Sequence, residues 1–152
     1  MTVQPQIQPY LFFEGRTEEA LEFYKRTIGA EVEMLMRFKD TPPDAPKSSD
    51  PGCQPPPNSA EKVMHCSFRV GGSTIMASDG MCSGKPQFGG FGLSLPAKDE
   101  AQVNKWFKAL GEGGQVVSPV SRTFFSPAFG MVTDRFGVMW MILVPVEMAK
   151  AA

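Results

Sequence analysis

The feature that most constrains this chain is that it says the same thing twice. Phe23-Tyr24, inside an amphipathic stretch, is echoed 83 positions later by Trp106-Phe107. Gly29-Ala30-Glu31-Val32 is echoed 84 positions later by Gly113-Gly114-Gln115-Val116. Gly71-Gly72 finds its counterpart in Phe136-Gly137 at a shorter offset of 65, because a proline-rich stretch in the first half has no long equivalent in the second. The order strand, helix, strand, loop, strand, turn, strand thus occurs in residues 5–79 and again in 90–145. A helix covers only one face of a sheet, so each unit leaves its other face open. The repeat predicts a single α+β domain over 1–152, made of two βαβββ modules with a mostly antiparallel, curved sheet. If the open faces curve around a shared cavity, that cavity is the expected site.

Within the first half, Ile7 to Phe13 reads as a strand, with Pro9 demanding an edge, a bulge or a ligand on its N–H side. Thr17 is the expected N-cap of a helix whose first turn carries Glu18 and Glu19, and whose apolar face is Ala20, Leu21, Phe23, Tyr24 and Ile28. Gly29 should stop it. Glu31 to Phe38 resumes as a strand. Residues 39–61 hold seven prolines among Asp, Ser, Lys and Asn, which suits a long loop and neither a ladder nor a helix.

Lys62 to Asp79 then forms a hairpin around Gly71-Gly72, a dipeptide suited to positive φ. Alternation puts Val63, His65, Ser67 and Arg69 on one face, and Met64, Cys66, Phe68 and Val70 on the other. In the second half, Phe91 to Leu95 is a strand. Lys98-Asp99-Glu100 opens a helix with Val103, Trp106, Phe107 and Leu110 on its apolar face, closed by Gly113-Gly114. Gln115 to Val120 is a strand, and Ala128–Thr133 and Val138–Val144 form the last hairpin.

The candidates for chemistry are few. His65 is the only histidine and sits near Ser67, Ser78 and Asp79 in the hairpin. It reads as a general base or a ligand, or as a strand histidine bonded to a neighbour. Asp79 can orient His65, accept a proton or hold a metal, or it can be an ordinary turn residue before Gly80. These two are the catalytic candidates. Tyr10, Phe12, Ser67, Met76, Ser78, Phe124, Phe125, Phe129 and Trp140 are the expected ligand-contacting residues, the aromatics stacking on a flat or apolar ligand. Cys66 shares the Met64 face and reads as a buried, inert thiol; Cys82, in a Gly/Ser segment, as a more exposed one.

Composition excludes several classes. A net charge of −1 without a basic run disfavours nucleic acid and anionic lipid. Three cysteines (Cys53, Cys66 and Cys82) without C-x-x-C spacing fit neither a disulfide framework nor a zinc knuckle. No apolar run approaches the ~20 residues that cross a bilayer, and the first residues lack a signal-peptide pattern. The expectation is a soluble, cytoplasmic protein.

The ordered words Pro9-Tyr10-Leu11-Phe12-Phe13, Glu19-Ala20, Phe23-Tyr24, Lys62-Val63-Met64-His65, Ser78-Asp79, Phe129-Gly130-Met131 and Trp140-Met141-Ile142 resemble the glyoxalase, or vicinal-oxygen-chelate, superfamily. They are closest to its PhnB-like branch, which carries a 3-demethylubiquinone methyltransferase label. No Gly-rich strand-to-helix loop of nucleotide-binding type accompanies that label. The resemblance implies the glyoxalase/bleomycin-resistance/dihydroxybiphenyl dioxygenase fold, a homodimer and a small-molecule ligand. It also implies metal positions near Gln8, Gly90, Ser78 or Asp79, and Met141, of which glycine and methionine do not suit a hard or borderline divalent ion. The expected function is therefore binding of a small apolar, aromatic or vicinal-oxygen metabolite, without a metal or other cofactor. The alternative is a divalent-metal-dependent lyase, isomerase or dioxygenase-type enzyme.

Overall fold

A computed structural model describes residues 3–51 and 54–147 of the chain. Cys53 and part of the proline-rich stretch lie outside the described residues. The chain forms two compact units, Met1–Pro86 and Gln87–Ala152.

The first unit runs β1 (Tyr10–Phe12), α1 (Thr17–Ile28), β2 (Glu31–Arg37), β3 (Val63–Val70) and β4 (Ser73–Ser78). The second runs β5 (Leu93–Pro96), α2 (Glu100–Gly111), β6 (Gln115–Ser121), β7 (Phe129–Thr133) and β8 (Met139–Leu143). Their sheets are ordered β1-β4-β3-β2 and β5-β8-β7-β6, so the repeat holds at the level of topology. In each, the first strand pairs parallel with the fourth and the other pairs are antiparallel. The α+β architecture of two βαβββ units is as the repeat predicts.

β1 is shorter than the expected 7–13. Pro9 precedes it on the sheet edge and contributes only its carbonyl, which accepts the Met76 amide at 2.9 Å. α1 buries Ala20, Leu21, Phe23, Tyr24 and Ile28 as its periodicity requires. The Tyr24 ring stacks on Phe68 of β3 at 5.9 Å. Gly29 ends the helix at φ 70, a left-handed conformation that glycine adopts without strain. The start differs from expectation. Arg16 is the N-cap residue and its side chain, which pairs with Glu19, makes no capping bond, while Thr17 is the first helical residue and fully buried. The capping acceptor comes from Asp79, 62 positions away, whose Oδ1 accepts the Thr17 amide at 2.9 Å.

In the second unit Asp99 caps α2 through the Gln102 amide at 2.8 Å. The helix ends at Gly111, before Gly113-Gly114, and its fully buried residues are Val103 and Leu110. Gly130 lets it lie close. A Cβ there would stand 2.8 Å from the Phe107 ring and 2.9 Å from Val120.

The proline-rich stretch is closed at its neck. Phe38 and Lys39 donate to the carbonyls of Lys62 and Ala60 at 3.1 and 3.0 Å, which continues the β2–β3 ladder beyond the strands. Beside it, Arg37 forks onto both oxygens of Glu18 at 2.6 and 3.0 Å, and Lys39 onto Glu61 at 2.9 Å.

Candidate functional site

In the first sheet Leu11, Cys66, Phe68, Ile75 and Ala77 are buried on the α1 side. The intervening residues belong to the opposite, open face. Register brings them together from four strands: Tyr10 lies beside Met76, Phe12 beside Ser78, Ser67 beside Met76, and Met36 beside His65. Tyr10 and Phe12 approach with ring centroids 4.9 Å apart, and Phe12 remains 52% exposed. The Tyr10 ring also stacks on the His65 imidazole at 5.5 Å, and its Oη lies 3.0 Å from His65 Nδ1. Tyr10, Phe12, His65, Ser67 and Met76 therefore form one aromatic and thioether surface with an imidazole in it. At the far end, Arg69 pairs with Glu31 at 2.6 Å and stands 3.6 Å from Glu33.

The alternation expected along β3 fails at its start. Val63 is buried and Met64 half-buried, where the pattern requires the reverse. Two things displace them. The β2–β3 register shifts between Met36 and Arg37, and the Val63 amide is held by Asp79 Oδ2 at 2.7 Å.

Asp79 is 2% exposed, with one carboxylate oxygen on the Thr17 amide and the other on the Val63 amide. The group that orients His65 is Tyr10, and Asp79 is a structural clasp between the start of α1 and the start of β3. Ser78 is buried too, and its Oγ accepts the Gly80 amide at 3.2 Å. Met36 and Met34, opposite His65 and Ser67, are members of this face that the sequence reading passed over. Met34-Leu35-Met36 puts the two methionines on one face by alternation, but the register shift between Val32 and Met34 decides which face that is.

In the second unit Phe124, Phe125 and Phe129 come together edge to face, with centroids 5.2 and 5.0 Å apart. Buried Ser126 pins their loop: its Oγ accepts the Ala128 and Val144 amides at 3.2 Å, and its one proton is shared with the carbonyls of the same residues at 2.7 and 2.9 Å. Phe124 stands 89% exposed. Trp140 is set elsewhere. It is 2% exposed, paired with Val132 on the α2 side of its sheet, and its indole N–H donates to Asp134 Oδ2 at 2.9 Å. Trp140, expected among the ligand-contacting residues, sits in the core of the second unit.

The metal positions implied by the resemblance do not fit an ion. Asp79 has both oxygens on backbone amides, Gln8 is exposed outside any strand, and Gly90 and Met141 bring no hard donor. Among the described residues no group of three His, Cys, Asp or Glu side chains is placed to hold a metal. Burial pushes the Cys66 thiol up to about 11, as suits an inert core cysteine, and burial also raises that of half-buried Cys82. No helix among the described residues is long and apolar enough to cross a membrane.

The chain matches the family model of 3-demethylubiquinone-9 3-methyltransferase over residues 5–143. It is 38% identical over 140 residues to Protein YjdN of Escherichia coli (strain K12), covering 91% of this chain and 94% of that protein. Among solved structures, protein PA1353 from Pseudomonas aeruginosa superposes with a TM-score of 0.74 at 34% identity, covering 95% of this chain and 100% of that one. A member of the glyoxalase/bleomycin resistance protein/dioxygenase superfamily from Sphaerobacter thermophilus shares the fold, with a TM-score of 0.54 at 18% identity over 93% of this chain and 98% of that one.

Proposed function

We propose, starting from the family to which this chain belongs, that of 3-demethylubiquinone-9 3-methyltransferase with the glyoxalase fold, that the protein binds a small aromatic metabolite on the open face of its first sheet. The observation that carries this reading is the Tyr10–His65 pair, a hydrogen-bonded imidazole set among Phe12, Ser67 and Met76. A flat ligand can stack on Tyr10 and Phe12, fit against flexible Met76, and find one polar contact in His65. The divalent-metal alternative lacks the donor set described above. We further propose that the chain acts as a homodimer, a reading supported by Val116 and Val117, which stay 58% and 51% exposed on edge strand β6.

Ligand-observed NMR with a panel of aromatic acids, phenols and ketones, run against wild-type protein and His65→Ala, tests the binding reading. Ligands that contact wild type and lose contact in His65→Ala support it. Equal signals for both proteins, or none for wild type, defeat it. The native mass of the freshly purified protein reads the dimer.

A further inference from the structure

We infer that Tyr10 is a positioning residue that turns His65 into a hydrogen-bond donor, so that the ligand of this face carries an acceptor oxygen, of the ketone, aldehyde or carboxylate class. The inference rests on the binding reading above and deepens it.

Tyr10 Oη and His65 Nδ1 are 3.0 Å apart, and either can donate. Among the described residues the Tyr10 hydroxyl makes no other hydrogen bond, and neither does the His65 ring. If Nδ1 carried the proton, the phenolic O–H would have no protein acceptor, and Nε2 would be left with a lone pair. If the phenol donates, its one proton is used, Nδ1 becomes the acceptor, and the imidazole proton sits on Nε2. Phenols donate better than they accept, and the Nε2–H tautomer is the intrinsically favoured form of a histidine side chain. Both preferences point the same way. The bond made at one ring nitrogen fixes the other.

The neutral ring then has no free lone pair. Its remaining polar atom is Nε2–H, on a half-exposed ring within an aromatic surface. A general-base role at Nε2 is closed while the Tyr10 bond lasts, and the group that fits against this atom is an acceptor. A ligand lacking an acceptor leaves the N–H without a partner once water is displaced.

With one histidine in the chain, ring-nitrogen NMR of the ¹⁵N-labelled full chain gives a single pair of signals. For the neutral ring, the expected result is an Nε2–H tautomer whose Nδ1 signal carries the mark of an accepted hydrogen bond. That mark should vanish in Tyr10→Phe. An Nδ1–H tautomer in wild type overturns the inference whether or not any ligand binds. Acetophenone and its isostere α-methylstyrene supply the second arm, because they differ in C=O against C=CH2. Acetophenone should shift the His65 ring signals and bind about three- to ten-fold more tightly. Equal affinity of the two overturns the donor role. If the tautomer is Nε2–H and neither compound touches the ring, the binding reading falls and the tautomer assignment stands.

Discussion

Asp79 Oδ1 accepts the backbone amide of Thr17 at 2.9 Å, so a carboxylate at the end of β4 caps a helix that begins 62 positions earlier. Its other oxygen holds Val63 at 2.7 Å. A buried carboxylate accepting two amide protons ties three elements of one unit at a single point.

Asp79→Ala should therefore cost stability before anything else. Two buried amides lose their acceptor, for a loss of about 2–5 kcal/mol in urea unfolding. A variant within ~0.5 kcal/mol of wild type would show that the clasp is dispensable.

Thr17 presents the opposite case. Its Oγ1 is buried without a hydrogen-bond partner. Thr17→Val keeps the shape and removes an unsatisfied hydroxyl, so stability should rise by up to about 1 kcal/mol. A thermal midpoint that falls clearly below wild type would contradict this.

Gly130→Ala puts a methyl group into the Phe107 ring and Val120. The expected cost is about 1–3 kcal/mol, from overpacking between α2 and its sheet. Unchanged calorimetric unfolding would mean that α2 is free to move aside.

Glu18 and Arg37 make the pH-dependent contribution. The Arg37 hydrogen bonds hold the Glu18 carboxyl below its usual 4.5, partly offset by desolvation. Its stabilisation is present above that ordinary value and is lost as pH falls through the lower folded one. Glu18→Gln should differ from wild type at neutral pH and converge with it in acid. Because the pair is exposed, the difference is small and shrinks in high salt. A difference that grows on acidification would refute the assignment.

Cysteine chemistry separates the thiols. With Cys66 pushed up to about 11, its thiolate is scarce at pH 8 to 9. Iodoacetamide should modify Cys82 well ahead of Cys66, as peptide mapping reads. Equal labelling of the native protein would place Cys66 outside the core.

What was legible in the chain was what is local. Gly29, Gly71-Gly72 and Asp99 announce their turn and cap by conformation and side-chain reach. The α1 face follows from a 3.6-residue period, and the repeat follows from placing two halves side by side. The relationships that build the site are long-range. Tyr10 and His65 are 55 positions apart, and either can be named as a candidate without any sign that they bond to each other. Asp79 read as a catalytic candidate or an ordinary turn residue, and its clasp role was hidden because its two partners lie on other elements. Trp140 could not be told from Phe129 by aromatic character; only β8 register, with Val132 and not Met131 opposite, assigns it to the core. The pairing of Met36 with His65 depends on register shifts in β2 that alternation does not encode.

The closed neck of the proline-rich stretch makes this a chain with a socket. Two ladder bonds and the Lys39–Glu61 pair bring the ends of that segment together whatever lies between them. Closure entropy grows only as the logarithm of loop length, about 0.6 kcal/mol per doubling. Passenger sequence, such as a peptide tag or a small folded insert, spliced between Pro43 and Pro57 would thus tax folding lightly. The same socket is where evolution can vary the chain's length at little cost to either ladder it joins.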